Sequence, residues 1–203
     1  MSAGVRTGTG AGLQTAPWLM AFDDDPRRIA AEPATVEQHT ALVHHWMQEP
    51  HVAPWWDLDG PVGITRDYLA EQVALPHVQP WIASVDRQPF AYVETYLAAQ
   101  DPLADQLAAA GSTVVLDRHD RGFHLLVGNP QELGTGAAQL LGRAVIHHLF
   151  TDPDVRRVVC EPDRRNERML RYCAGLGHEE LDRVDLPAKR AVILAVHRKE
   201  ADA

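Results

Sequence analysis

Apolar positions along this chain change period several times, and the changes mark its elements. In Thr35–Met47 (TVEQHTALVHHWM) they fall at Val36, Leu42, Val43, Trp46 and Met47, the spacing of an amphipathic helix behind a Thr N-cap. Ile64–Leu75 reads as a second such helix, ended by Pro76, and the Pro- and Trp-rich Glu49–Pro61 between them as loop. Pro80–Val85 and Pro89–Leu97 read as strands joined by Asp86-Arg87-Gln88, a hairpin. Asp101–Asp120 is a long polar connection, a lid or partly helical. Gly122–Val127 is a strand, and Gly134–Phe150 a helix with apolar Ala138, Leu141, Val145, Ile146 and Leu149. Val155–Cys160 is a strand apolar enough to be buried. Asn166–Leu176 is a helix stopped by Gly177, and Leu181–Leu186 and Ala191–His197 form a closing strand pair. This order predicts an α+β fold, a sheet with helices packed on it. The strand–helix–strand unit from Gly122 to Cys160 is a right-handed crossover if its strands are parallel.

No repeat or linker divides the 203 residues, which suffice for one domain with a sizeable core. Met1–Thr15 is rich in Gly, Thr and Ala and lacks the apolar run of a signal peptide. Residues 1–30 are therefore assigned to an N-terminal extension without fixed structure, with order setting in between Trp18 and Pro33, and residues 31–200 to the domain. A net charge of −9 argues against nucleic acid or an anionic membrane as partner, and no apolar window of spanning length occurs. Cys160 and Cys173 lack paired spacing and read as free thiols of a reducing, cytoplasmic compartment. His44-His45 and His147-His148 are adjacent on helices, so their rings diverge, and no His-Glu-x-x-His occurs; no metal site is expected.

The segment His124-Leu-Leu-Val-Gly-Asn-Pro-Gln-Glu-Leu-Gly-Thr-Gly136 runs from a strand through a glycine loop into a helix. Free N–H groups at a helix start, and glycines that let a ligand approach the backbone, make such a loop a phosphate cradle. It has no Lys for a nucleotide P-loop and no third glycine for a dinucleotide fold. What remains, Gln131-x-x-Gly134-x-Gly136, resembles the coenzyme A pyrophosphate loop of the GCN5-related N-acetyltransferase (GNAT) superfamily, as does the element order over Thr35–Arg198. The resemblance implies a single acyl-CoA N-acyltransferase domain whose central mixed, mostly antiparallel sheet is flanked by helices. It also implies acetyl-CoA or another acyl-CoA as co-substrate, held by Leu126, Val127, Gln131, Glu132, Leu133, Gly134, Thr135, Gly136, Ala137 and, near the pantetheine arm, Asn166. Leu133 departs from the pattern, which usually has Arg or Lys there, leaving the loop one cation short.

Longer stretches, among them His45-Trp-Met-x-x-Pro-His-Val52, Asp120-Arg-Gly-Phe-His-Leu-Leu126 and Glu161-Pro-Asp-Arg-Arg-Asn166, resemble the siderophore-biosynthesis branch, which acylates N-hydroxylysine, N-hydroxyornithine, hydroxydiamines or lysine. The Trp55-Trp56 loop is shared with aminoglycoside 6′-N-acetyltransferases. Either branch takes a small-molecule amine as partner, as monomer or homodimer; a non-catalytic CoA-binding domain is a third possibility. The siderophore resemblance implies His124 as general base, against a hydrogen-bonded core histidine, and Asp163 as its acidic partner, against a turn residue before Asn166. Trp55 and Trp56, expensive to leave exposed, are candidates to cover the acceptor, and Tyr92, Glu94 and Tyr96, alternating on one strand face, to line its pocket; ordinary packing and strand alternation give the same pattern. The tyrosine that protonates the departing thiolate in the superfamily falls at Cys173, which is read as a core thiol.

Overall fold

A computed structural model describes residues 12–199. Eight strands form one sheet in the order β1-β2-β3-β4-β5-β6-β8-β7: β1 Trp18–Phe22, β2 Asp25–Pro33, β3 Val78–Val85, β4 Gln88–Leu97, β5 Asp120–Val127, β6 Arg157–Cys160, β7 Glu179–Asp185 and β8 Arg190–His197. Every neighbouring pair is antiparallel except β5 and β6, so the sheet is mixed and mostly antiparallel as expected. Among the described residues six α-helices accompany it: α1 Val36–Met47, α2 Ala53–Trp56, α3 Val62–Ala74, α4 Pro102–Ala109, α5 Ala137–Phe150 and α6 Glu167–Gly175.

The period of two along the strands sends alternate side chains to opposite layers. Trp81, Val93, Phe123, Leu125 and Val127 pack against Leu140, Leu141, Ala144 and Val145 of α5. Ile82, Tyr92 and Leu126 face the other way, onto Val43, Trp46 and Met47 of α1 and Leu69 of α3. That second face carries the site, because it brings Tyr92, Glu94 and Tyr96 of β4 to the side of β5 that shows His124, and Glu94 pairs with His124 across the ladder.

Three expectations change. Among the described residues regular structure starts at Trp18, the early limit of the expected range and inside the span 1–30 assigned to the extension: β1 and β2 form a hairpin, and Ile29 and Ala31 sit in the core. The turn is Asp23-Asp24, and the charged run Asp23-Asp24-Asp25-Pro26-Arg27-Arg28 that continues from it into the start of β2 masks the alternation. Residues 1–11 of the expected extension lie outside the described residues. Within the Pro- and Trp-rich loop, Ala53–Trp56 makes one helical turn. The polar connection after β4 is partly helical: Asp101 caps α4 by accepting from Leu103 N–H at 2.9 Å, Pro102 occupies the first turn, and Leu103 and Leu107 bury against Leu186, Ala191 and Ile193. A segment so anchored is core, not a lid.

β5 and β6 pair over only three positions, from Asp120↔Arg157 to Gly122↔Val159. Beyond Gly122 they separate, and β5 keeps β4 as its ladder partner. Tyr96 lies directly across from Gly122, and a Cβ there would overlap its ring. Gly122→Ala is therefore expected to lower unfolding stability by roughly 1–3 kcal/mol, the range for overpacking a tight core, measurable as a lowered denaturation midpoint with an unchanged m-value.

Candidate active site

The opening between β5 and β6 leads at one end to the glycine loop. Pro130–Glu132 forms a short 3₁₀ turn capped by Asn129, whose side chain accepts from Gln131 N–H at 3.0 Å. Gly134 and Gly136 then adopt left-handed φ of +80° and +86°. Gly136 caps α5 without a side chain of its own; Ala137 N–H donates to Thr135 Oγ1 at 3.2 Å, and the next amides of the first turn remain as donors where the helix dipole is positive. Ala137 is fully buried, and its main chain is the part that faces the loop. Leu126, Val127, Leu133 and Asn166 line a narrow cavity of about 120 Å³ together with Ala138, Arg168, Met169 and Tyr172. Two left-handed glycines, the remaining first-turn amides and an apolar slot beside them could hold a pyrophosphate with a pantetheine arm. Asn166 stands at the slot while its Oδ1 caps α6 through Met169 N–H at 3.0 Å.

At the other end lies a cavity of about 310 Å³ lined by Trp55, Trp56, Tyr68, His124, Glu161 and Lys189, among others. His124 Nδ1 is 3.2 Å from Glu94 Oε2 and its Nε2 is 2.9 Å from Glu161 Oε1. Tyr68 and Tyr92 donate to Glu94 Oε1 at 2.5 and 2.8 Å, Tyr96 donates to Glu161 Oε2 at 3.0 Å, and Lys189 Nζ donates to Glu161 Oε1 at 3.1 Å. Both carboxylates are almost fully buried, whereas the His124 side chain is 38% exposed and forms the cavity wall.

Two ring nitrogens each facing a carboxylate oxygen are both satisfied only when both carry hydrogen. Burial alone would lower the His124 pKa, but Glu161 and Glu94 overcome it and raise it to about 10. Burial pushes Glu161 upward in the same way, and the charges of His124 and Lys189 more than reverse this, holding its carboxyl well below the usual range. Burial and the neighbouring carboxylates push the tyrosines the other way, so Tyr68, Tyr92 and Tyr96 remain hydroxyl donors. Two buried carboxylates thus face two cations, which is how such charges survive away from water.

Trp55, Trp56, His124, Asp163 and Asn166 all border the opening. Tyr92, Glu94 and Tyr96 lie one layer behind it: buried against the helices, they hold the acids and His124 instead of lining the acceptor cavity. Asp163 borders the cavity, but its carboxylate is held by Arg165, through Nε at 3.0 Å and Nη2 at 2.7 Å, and accepts Arg165 N–H in a turn. The Arg165 guanidinium lowers its pKa to about 2, against a small opposing effect of burial. The acid on His124 Nε2 is Glu161, two residues earlier, and neither it nor Lys189 and Tyr68 is anticipated from the sequence. Glu161 stands in the quoted stretch Glu161–Asn166 that carries the branch resemblance, so its signal was present without an assigned role. Cys160 and Cys173 are buried with their Sγ atoms 3.5 Å apart, and Tyr172 donates to Ala138 C=O at 3.0 Å.

The family model described as "Acetyltransferase (GNAT) domain" matches residues 35–186. The chain belongs to the GNAT acetyltransferases. It is 31% identical over 176 residues to lysine N-acyltransferase MbtK of Mycobacterium sp. (strain MCS), covering 86% of this chain and 69% of that protein. It is also 31% identical over 172 residues to N(6)-hydroxylysine O-acetyltransferase of Escherichia coli, covering 84% of this chain and 51% of that protein. The chain therefore spans about half the length of that second relative. The crystal structure of aminoglycoside acetyltransferase AAC(6′)-Ib with coenzyme A superposes with a TM-score of 0.69 at 26% identity, over 84% of this chain and 95% of that one. This GNAT domain is accordingly an acyl-CoA-dependent acyltransferase.

Two measurements test this site. Between the unfolded imidazole pKa of about 6.5 and the folded value of about 10, the folded protein holds a proton that the unfolded chain has lost. Its stabilising contribution is complete below that window and declines as pH rises through it. The His124 ring nitrogens should remain doubly protonated in NMR spectra from pH 6 to 9, and His124→Gln should flatten the fall of stability over this window. Gly136→Ala places a Cβ in left-handed backbone and is expected to weaken acetyl-CoA binding by roughly tenfold, read by calorimetry.

Proposed function

We propose that this GNAT domain transfers an acyl group, most simply acetyl, from acyl-CoA to an N-hydroxylated or primary amine of a siderophore precursor. Transfer is direct, with no acyl-enzyme. The observation that carries the reading is His124 held between Glu94 and Glu161 in the opening that joins the glycine loop to the acceptor cavity. The names of the mycobacterial and E. coli relatives, an acyltransferase of lysine and an acetyltransferase of hydroxylysine, support it.

Chemistry at this site moves one proton from nitrogen to sulfur while the carbon–sulfur bond breaks and the carbon–nitrogen bond forms. A resting imidazolium is not itself a base, so base character belongs to the set of His124, Glu94 and Glu161. The proton released by the attacking nitrogen enters that set on a carboxylate, one proton leaves it for the departing thiolate, and the set ends in its starting state. Attack requires a neutral nitrogen. A hydroxylamine nitrogen is far less basic than an alkylamine and is neutral near pH 7 without help from the protein, which favours N-hydroxylated acceptors over primary amines. Trp55 and Trp56 form the apolar cover over the acceptor's carbon chain.

A second reading, acetylation of an aminoglycoside, is favoured by one feature. A cavity of about 790 Å³ adjoins the site and is lined by Asp57, Asp59, Asp101, Glu161 and Asp163, while its cations Lys189 and Arg165 are paired with Glu161 and Asp163. Such a wall suits a polycation.

A thiol-release assay should cross acetyl-, succinyl- and long-chain acyl-CoA with N-hydroxylysine, N-hydroxycadaverine, N-hydroxyornithine, lysine and kanamycin. The highest kcat/KM is expected on a hydroxylamine. Kanamycin in that place establishes the second reading, and acyl-CoA binding without turnover on any amine establishes a non-catalytic domain. His124→Gln is expected to lower kcat by about 10²–10⁴ while acyl-CoA affinity is retained; an unchanged kcat removes His124 from the chemistry.

A further inference from the structure

The glycine loop carries no cation of its own. Leu133 occupies the position before Gly134, and the ionisable side chain in the turn is Glu132, whose carboxylate accepts from Thr135 Oγ1 at 3.1 Å. A cation nevertheless stands against the loop, supplied from β2. Arg27 Nη1 donates to Thr135 C=O at 3.1 Å, and its Nη2 lies within van der Waals reach of where a Cβ on Gly136 would sit. Asp25 holds the guanidinium in that place: its Oδ1 accepts from Arg27 N–H and Nε, both at 2.9 Å, and its Oδ2 accepts from Nη2 at 2.6 Å.

A trans peptide directs its C=O and the following N–H to opposite sides. Fixing Thr135 C=O toward β2 therefore turns the Gly136 N–H away from β2. In a left-handed glycine pair, with many backbone orientations open to it, such an anchor decides which way the amide points. We propose that Arg27 is a positioning residue for the pyrophosphate of acyl-CoA: anchored by Asp25, it sets the Thr135–Gly136 peptide and offsets the charge of Glu132 beside the phosphates. Without Arg27, Glu132 and Asp25 face the incoming dianion together and the loop peptide loses its outer tether. The β1–β2 hairpin thereby becomes part of the co-substrate site.

The test compares Arg27→Ala and Arg27→Lys with the unaltered protein. Calorimetric affinity for CoA should fall by roughly tenfold in Arg27→Ala, the scale of one charge-assisted hydrogen bond, and recover in part in Arg27→Lys. Affinity for pantetheine, which lacks the pyrophosphate and is followed by NMR titration, should not change. In the acyl-transfer assay the KM for acetyl-CoA should rise with kcat unchanged, and with S-acetylpantetheine as donor the variant and the unaltered protein should be equal. Should the domain prove non-catalytic, the two binding measurements still decide the matter. Equal losses for CoA and pantetheine would show that Arg27 supports only the fold, and an unchanged CoA affinity would overturn the proposal outright.

Discussion

The early end of the β5–β6 ladder is the constraint on which the rest depends. Two parallel strands that stop pairing after three positions leave the remaining length of β5 bonded to β4 alone. A sheet interrupted in this way normally exposes strand edges, a liability in a folded domain. Here the gap is bordered by α5 and α6 and by the Trp55-Trp56 turn, so it becomes a cleft through the centre of the molecule. Its geometry places the glycine loop at the far end of β5 and His124 midway along β5 on one continuous opening.

Burying two carboxylates beside that cleft is costly, and the structure offsets the cost by completing their hydrogen bonds. Glu94 takes two tyrosine hydroxyls and the imidazolium; Glu161 takes a tyrosine hydroxyl, the imidazolium and an ammonium. The donors come from α3, β4, β5 and the turn before β8, so the set exists only when the domain is assembled. Arranged this way the imidazole is a structural cation that also forms part of the cavity wall. The two carboxylates hold a histidine with an ordinary solution pKa near neutrality in its charged form here.

Much of the architecture was legible because hydrophobic periodicity is a local property. The helices at α1, α3, α5 and α6 and the strands from β3 onward follow from apolar spacing and from stop signals such as Pro76 and Gly177. The first hairpin escaped because a run of charges fills its turn and the start of β2, and the connection holding α4 stayed open between lid and helix because a short helix of small residues leaves little periodic signal. At the site, His124 and the glycine loop could be read from their own neighbourhood. The residues that touch His124 could not, since Glu94 reaches it by strand register and Glu161 across the parting of two strands.

The choice between Glu161 and Asp163 shows where such reading stops. Two residues apart on an extended segment, they point to the same side, and either suits an imidazole by type. What separates them is where β6 ends. Glu161 follows directly on Cys160, the last strand residue, and still projects toward β5. Asp163 lies past Pro162, where the chain has already crossed to bridge Ala191 and begun the turn that Arg165 closes. One step of backbone geometry thus assigns one acid to the imidazole and the other to a turn, and it is a property of the fold that residue type alone does not encode. The same logic accounts for Arg27. Its partner in sequence is Asp25, two residues away at the start of β2, and its partner in function is a loop more than a hundred residues later, reached because the hairpin folds against the start of α5.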